Sequence, residues 1–357
     1  MNIKGRKIDF SKQELFIGID VHKKSWTVTI RIPSTVLKTY SMRPSSKELK
    51  KHMEKYYPNG NYHSVYEAGF SGFWLHRELT ELGFDNIIVS PSDIPTSSKE
   101  RLTKTDKVDS RKLARELSNN ALKGIYIPNL MEENLRGLSR QRYQQARKLA
   151  RVKNQIKSYL NCCGCELPEN SELQHWSKRF ISHLQNIKFK NEIGKEKLEF
   201  YLDELEIIKK RKLQLLNSLK KHLKEKSKYN LVELLLTVPG IGFITATTFL
   251  TEIIDIYRFP NSDKLASYLG LVPAIQSSGE TEKVLGLSFQ YNKYLRQLLV
   301  EASWIAVRND PALTLVFNKY LVRMSKQKAI IRIARKLLNR IFYVLKNKHN
   351  YVHSVVA

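Results

Sequence analysis

Four carboxylates lie at positions in the sequence that the fold could bring together. Asp20 ends an apolar predicted strand, and Glu67 closes a second one. Asp106 and Asp109 are three residues apart at the start of a predicted helix, which places them on one helix face. Their mutual repulsion would be relieved by divalent cations, which prefer hard oxygen ligands. Two Mg²⁺ ions about 4 Å apart would hold the attacking and leaving oxygens of a phosphodiester.

The elements around these carboxylates predict a mixed α/β sheet in a domain of residues 1–128. Predicted strands at 16–21 and 25–32 form a hairpin, and strands at 63–68 and 86–90 flank a helix at 72–82. This strand order favours an RNase H-like metal nuclease fold. In the alternative interpretation, Asp106 and Asp109 merely cap their helix and Glu67 lies in a turn.

Residues 129–229 carry helical periodicity and no strand signal. The predicted first helix has eight Lys or Arg and no acid between positions 135 and 158, and a second helix at 194–228 has a leucine stripe. This pattern predicts an antiparallel helical or coiled-coil arm, or a plain bundle with solvated basic faces. The candidate nucleic-acid contacts on the first helix share one face: Arg136, Arg140, Arg147 and Arg151.

A mostly helical domain is predicted at residues 230–315. Apolar helices flank Pro239-Gly240-Ile241-Gly242, a pattern typical of a helix-hairpin-helix. There, Gly240 and Gly242 would let the backbone approach a phosphate, although a tightly packed helical corner is the alternative. Ser277 and Ser278 precede a glycine in a predicted loop, and because no His or Lys base is near them in sequence, chemistry alone favours a turn.

The overall charge indicates a polyanionic partner. The chain has 61 Lys and Arg against 34 Asp and Glu, a net charge of +27. Residues 316–357 are predicted to form a basic C-terminal helix and tail. Nucleic acid is favoured over a membrane surface as the partner of this helix. The candidate nucleic-acid contacts on it are Lys328, Arg332 and Arg335.

The cysteines and the N-terminus favour a cytoplasmic protein. Three cysteines cannot build a disulfide framework, and the N-terminal segment lacks the apolar region of a signal peptide. Cys162, Cys163 and Cys165, with His175 beyond them, favour a reduced loop over a zinc site, because the spacing is unusual and the fourth ligand is uncertain.

Seven short motifs occur in order along residues 16–311. They are GIDVHKK from Gly18, YEAG from Tyr66, TDKVDSRKLA from Thr105, VPGIG from Val238, RFP from Arg258, YLGLVP from Tyr268 and SSG from Ser277. The combination resembles the DEDD insertion-sequence transposases that use a bridge RNA, the insertion-sequence "one-ten" family.

This resemblance implies an RuvC-like domain in which Asp20, Glu67, Asp106 and Asp109 bind Mg²⁺, with Mn²⁺ as a substitute. It also implies that Ser278, or alternatively Ser277, attacks DNA and becomes linked to a 5′-phosphate. The implied assembly is a homodimer, supported by the coiled-coil arm, that assembles into a tetramer with composite active sites. The resemblance also implies a bridge RNA that pairs with donor and target DNA.

One segment departs from the family pattern, while a nearby arginine is retained. Phe289-Gln290-Tyr291 replaces a basic residue and a glycine, whereas Arg296, a further candidate DNA contact, is kept.

Two other function classes remain open on the residues alone. They are a junction-resolving metal nuclease that uses water as its nucleophile, and a nucleic-acid-binding protein without catalysis.

Overall fold

The computed structural model describes residues 9–96, 105–165, 176–225, 228–278 and 281–353, with the backbone alone at the described positions between 276 and 284. The chain divides into two compact units, Met1–Ile127 and Pro128–Ala357. Each unit has its own clusters of buried apolar side chains. Among the described residues, no helix combines the length and the apolar content that crossing a membrane requires.

The first unit is built on a five-stranded mixed sheet with strand order β3-β2-β1-β4-β5. The neighbours of β1 are antiparallel β2 and parallel β4. The strands are β1 (Glu14–Val21), β2 (Trp26–Arg31), β3 (Val36–Met42), β4 (Asn61–Glu67) and β5 (Asp85–Val89). The mixed sheet matches the sequence prediction, but β3 was not predicted. As an edge strand with mostly exposed side chains, β3 lacks the apolar alternation that marks a half-buried strand.

Helices cover both faces of this sheet. Helices α1 (Ser46–Tyr56) and α2 (Trp74–Glu81) share a core with the odd-numbered apolar residues of β1. Helix α3 (Asp106–Ser118) contacts β1, β2 and β4, and it packs against Gly18, on the opposite side of β1. Helix α1 was not predicted because it has few apolar residues, and of its three buried positions only Leu49 and Met53 are apolar.

The second unit begins with two long helices, α4 (Leu130–Cys162) and α6 (Glu192–Glu225), separated in sequence by α5 (Lys178–Gln185). The hydroxyl of Tyr159 near the end of α4 donates to the carbonyl of Gly194 near the start of α6, at 2.8 Å. The two helices are therefore antiparallel, and aliphatic side chains from both fill the space between them.

The remaining helices of the second unit share one large core. They are α7 (Tyr229–Leu236), α8 (Phe243–Ile253), α9 (Ser262–Leu269), α10 (Lys293–Asn309), α11 (Pro311–Leu321) and α12 (Lys326–Asn347). A hairpin of β6 (Pro273–Ser278) and β7 (Thr281–Leu287) lies between α9 and α10 in sequence. The apolar face of α12 is buried in this core. The basic C-terminal helix is thus an integral part of the unit, and its apolar face is not available to a membrane surface.

Candidate active site

Two of the predicted carboxylates lie at the carboxyl ends of neighbouring parallel strands. The paired register of β1 and β4 ends with Ile19 opposite Tyr66, so Asp20 and Glu67 follow side by side. Because side chains alternate along a strand, Asp20 shares the face of Gly18, against which α3 packs. Glu67 likewise shares the face of Val65, which is clustered with Leu113 of α3. Both carboxylates therefore belong to the α3 face of the sheet.

The other two carboxylates lie in the first turn of α3. The hydroxyl of Thr105 accepts the backbone N–H of Val108 at 3.3 Å and caps this helix. The capping role that could explain an aspartate at a helix start is thus filled by Thr105. Asp106 is exposed, while Asp109 is half-buried and lies 3.2 Å from the Lys112 ammonium nitrogen.

Glycine at position 18 allows α3 to approach β1 closely. A Cβ atom at this position would overlap the carbonyl oxygen of Ser110 and the backbone nitrogen of Ala114. A buried hydrogen bond of 2.9 Å between the hydroxyls of Thr29 and Ser110 fixes the same contact from β2. Asp106 and Asp109 are held near the end of β1 by this packing.

A histidine that the sequence prediction did not include joins the carboxylates. The Nε2 atom of His22 lies 3.2 Å from Oδ2 of Asp20 and 3.6 Å from Oδ1 of Asp106. One ligand atom from each of these three residues lies within 4.8 Å of the other two. The Asp-x-His spacing directly after an apolar strand was the available signal in the sequence.

The electrostatics of this cluster favour a cation. Burial raises the pKa of Asp20; His22 opposes that effect, and the charges of Asp106 and Asp109 add to it, so the pKa stands above its ordinary value. Carboxylate oxygens that repel one another, with an imidazole nitrogen beside them, are a donor set that suits a hard divalent ion. The residues present therefore fit a divalent metal ion.

The candidate nucleophiles are placed in the second unit. Ser278 is the last residue of β6 and is paired with Thr281, and Ser277 is paired with Glu282. The residues between the strands, Gly279 and Glu280, lie outside the described ones. Both serines belong to a strand of a β-hairpin and not to the predicted loop, and Ser278 ends that strand.

The two candidate glycines between α7 and α8 differ in their surroundings. Gly240 has a φ of +82°, and a Cβ atom there would overlap the carbonyl oxygen of Ala302 on α10. Gly242 precedes α8, and a Cβ atom there would meet nothing within 4 Å. Gly240 thus fits the alternative of a tightly packed corner, whereas Gly242 leaves the start of α8 approachable.

The four candidate arginines of α4 fall into two pairs. Arg147 and Arg151 are exposed. Arg136 donates to the carbonyl of Thr251 at 3.2 Å. Arg140 forms two hydrogen bonds, of 2.7 and 2.8 Å, with the carboxylate of Glu252. The contacts of Arg136 and Arg140 tie α4 to α8, and nucleic-acid binding by the four arginines stays a prediction.

The remaining candidate nucleic-acid contacts also fall into two groups, exposed side chains and side chains bonded within the unit. Lys328 and Arg332 are exposed, although the Arg332 guanidinium lies over the Tyr320 ring at 5.5 Å. Arg335 is paired with Asp263, and Arg296 donates to two backbone carbonyls within the unit. These last two arginines stabilise the fold, which the sequence could not reveal.

The three cysteines carry no disulfide. Cys162 and Cys163 are exposed, and Cys165 is half-buried. His175, the candidate partner in a zinc site, lies outside the described residues.

Two family models match the chain, and together they span both units. A DEDD transposase model of the IS110 type matches residues 17–163, and the model described as "Transposase IS116/IS110/IS902 family" matches residues 232–317. The chain belongs to the IS110 family of transposases. The first IS110 match contains Asp20, Glu67, Asp106 and Asp109, and the second contains both candidate serines.

Three relatives give the extent of this similarity. The candidate transposase y4qE of Sinorhizobium fredii is 30% identical over 239 residues, which are 67% of this chain and 57% of y4qE. A second candidate transposase of that organism, y4rJ, is 28% identical over 77% of this chain and 74% of its own length. The transposase of insertion element IS1533 from Leptospira borgpetersenii is 27% identical over 70% of this chain and 72% of its own length. The IS110-type chain thus spans little more than half the length of y4qE and almost three quarters of the other two.

Proposed function

We propose that this protein moves an insertion sequence by cutting and rejoining DNA strands, with a divalent metal site in the first unit and a serine nucleophile in the second. The observation that carries the proposal is the convergence of Asp20 and Asp106, which are 86 positions apart in sequence (106 − 20), on His22 at 3.2 and 3.6 Å. The family match supports the reaction class.

Asp20, Glu67, Asp106 and Asp109 would hold the metal, which we propose to be two Mg²⁺ ions that Mn²⁺ can replace. When bound, the metal supplies positive charge to the phosphodiester oxygens. Gly18 and the Thr29–Ser110 hydrogen bond keep α3 against β1, so the carboxylates from the two elements stay together. The raised pKa of Asp20 and its cause support a site that takes up positive charge.

Ser278 is the proposed nucleophile, with Ser277 as the alternative. Its Oγ would form a bond to phosphorus while the bond from phosphorus to the 3′-oxygen breaks, and the serine proton would leave with that 3′-oxygen. The product is a 5′-phosphoserine link and a free 3′-hydroxyl. Attack by a second 3′-hydroxyl on the linked phosphate would rejoin the strands and release the serine.

The proposed partners are donor DNA, target DNA and a structured bridge RNA. The net charge of +27 and the exposed Arg147 and Arg151 on α4 support binding to two polyanions. The antiparallel helices α4 and α6 are the proposed coiled-coil arm for dimerisation. In the proposed tetramer, the carboxylates and the serine of one active site come from different protomers.

The metal role is tested by comparing Asp20→Asn with Glu81→Gln, which removes an exposed carboxylate from the end of α2. We expect Asp20→Asn to abolish Mg²⁺-dependent strand cleavage and transfer, because the carboxylate in the centre of the cluster loses its charge. Binding of co-purified RNA, measured by filter binding, should stay near wild type, and Glu81→Gln should behave as wild type in both assays. Equal loss of RNA binding and strand transfer in Asp20→Asn would contradict the metal role.

A further inference from the structure

A backbone hydrogen bond and the guanidinium of Arg296 hold the base of the hairpin that carries Ser277 and Ser278. The N–H of Ser288 donates to the carbonyl of Val272 at 3.0 Å, which closes the base of the β6–β7 hairpin. Nη1 of Arg296 donates to the carbonyls of Gly270 and Ser288, at 3.2 and 2.8 Å. Those carbonyls lie on the chain entering β6 and the chain leaving β7, so Arg296 of α10 joins the two ends of the hairpin.

The direction of Arg296 is set by the start of α10. The Asn292 side chain caps this helix, because its Oδ1 accepts the N–H groups of Tyr294 and Leu295 at 3.0 and 3.1 Å. Its Nδ2 points the other way and donates to Oε2 of Glu252 at 2.9 Å. Arg296 follows one helical turn later and lies over the Tyr291 ring, with Cζ 3.3 Å from the ring centroid.

Glu252 is the residue on which these contacts converge. Its side chain on α8 has no exposed surface, and a buried carboxylate is costly unless donors surround it. It accepts two hydrogen bonds from Arg140 of α4 in addition to the one from Asn292. Arg140 in turn lies over the ring of Tyr294, 4.8 Å from its centroid. One carboxylate therefore joins α4, α8 and the start of α10.

We infer that Glu252 is a positioning residue for the nucleophile hairpin. By fixing Asn292 and Arg140, it fixes the start of α10, and Arg296 then holds the base of the hairpin in a defined place relative to the helices. The catalytic part of this inference rests on the proposed function, in which Ser278 attacks DNA. The mechanical part, that Glu252 holds the hairpin, does not depend on that reaction.

Amide hydrogen exchange of the full-length protein, followed by mass spectrometry, tests the mechanical part. Glu252→Gln removes the charge at nearly constant volume, and Glu301→Gln is the matched control on the exposed side of α10. Because a hydrogen bond to a charged group is worth about 1.5–3 kcal/mol, we expect exchange in a peptide covering 270–292 to rise about tenfold or more. Peptides of α12 should exchange as in wild type, and Glu301→Gln should change neither.

Two results would overturn the inference. One is unchanged exchange in the hairpin of Glu252→Gln, and the other is an equal rise in all peptides of the second unit, which would mark Glu252 as a residue of general stability only. If Glu252→Gln does not fold, Asn292→Ala and Arg140→Gln each remove one of its partners. Each must then raise exchange in the same peptide, and the absence of that rise contradicts the inference.

Strand cleavage separates this inference from the proposed function. If the wild type forms a protein–DNA adduct, Glu252→Gln should lower the rate constant of adduct formation at least tenfold at saturating DNA while the DNA concentration for half-maximal rate is unchanged. An undiminished rate constant would overturn the catalytic part. If the wild type forms no adduct while hairpin exchange still rises in Glu252→Gln, the proposed function fails and the mechanical role of Glu252 stands.

Discussion

The buried and half-buried carboxylates of this chain have two kinds of surroundings. Glu252 and Asp310 face arginines. For Asp310, burial raises the pKa, but hydrogen bonds from Tyr351 and the Leu313 N–H, with the charge of Arg340, lower it overall. The pKa of Asp20 is raised instead, because burial and neighbouring carboxylates outweigh His22. The first kind stabilises the fold, and the second is the kind found at functional sites.

We expect Asp310→Asn to destabilise the second unit by about 2 kcal/mol at pH 7, since it removes the charge that Arg340 and Tyr351 contact while keeping a residue that can cap α11. The folded-state pKa of Asp310 lies below that of the unfolded chain. Its contribution is therefore fully present above the unfolded value and is lost as the pH falls through the folded one.

Urea unfolding of wild type and Asp310→Asn at pH 7 and at pH 3 measures this difference. The difference in unfolding free energy should shrink at the lower pH. Asp263→Asn, which removes an exposed carboxylate paired with Arg335, should cost less than about 1 kcal/mol. A difference for Asp310→Asn that stays constant with pH would contradict the assigned ion pair.

Two close contacts, one between a helix and a strand and one between a helix and a turn, position the elements that carry the site residues. Both contacts depend on glycine. At Gly18, α3 approaches β1 so closely that a methyl group would overlap helix backbone, and Gly240 has the same relation to α10. The first contact brings Asp106 and Asp109 to Asp20. The second sets the corner between α7 and α8, the helix that carries Glu252.

Replacement of Gly18 by alanine should push α3 away from β1. We expect a loss of roughly 2–3 kcal/mol in stability, typical of overpacking, and at least tenfold weaker binding of Mn²⁺, because Asp106 and Asp109 move with the helix. Calorimetry of Mn²⁺ binding and thermal unfolding measure the two effects. Gly137→Ala in α4, where a Cβ atom would meet nothing within 4 Å, should leave Mn²⁺ binding unchanged and should be at least as stable as wild type, since alanine favours helix. Wild-type Mn²⁺ affinity in Gly18→Ala would contradict the account of α3.

Sequence reasoning found the elements with strong local signals and missed those that depend on distant partners. The strands β1, β2, β4 and β5 were predicted because their apolar runs are dense, whereas the exposed edge strand β3 has no such pattern. The acidic residues ending β1 and β4 predicted a cluster of carboxylates, of which the structure brings Asp20 and Asp106 together with His22. The pairing of Arg140 with Glu252 joins positions 112 apart, so the basic face of α4 gave no sign that one of its arginines is paired with a buried carboxylate.

The basic side chains of the two long helices differ in how available they are for binding nucleic acid. On α4, Arg147 and Arg151 are exposed while Arg136 and Arg140 contact α8. On α6, by contrast, exposed lysines such as Lys195 and Lys221 are paired with glutamates one turn away. The exposed arginines of α4 are thus the better candidates for phosphate contact.

We expect Arg147→Gln combined with Arg151→Gln to weaken DNA binding and to make its salt dependence less steep. Loss of two phosphate contacts changes the slope of log K against log salt by about 1.8, at about 0.9 for each contact. The control, Lys195→Gln with Lys221→Gln, removes the same charge from α6 and should leave the slope unchanged. Equal slopes in wild type and the arginine variant, from binding titrations at several salt concentrations, would contradict the α4 contact.

In the proposed reaction, a serine of the β6–β7 hairpin becomes linked to DNA, and the carboxylates of the first unit are required. The direct measurement incubates the protein and its co-purified RNA with Mg²⁺ and a supercoiled plasmid carrying the donor junction, then separates the products under denaturing conditions. A protein–DNA adduct should form with wild type and should be absent from Ser278→Ala and from Asp20→Asn. Nicked plasmid without an adduct, as a nuclease using water would give, or an adduct that persists when both Ser277 and Ser278 are alanine, would contradict the account.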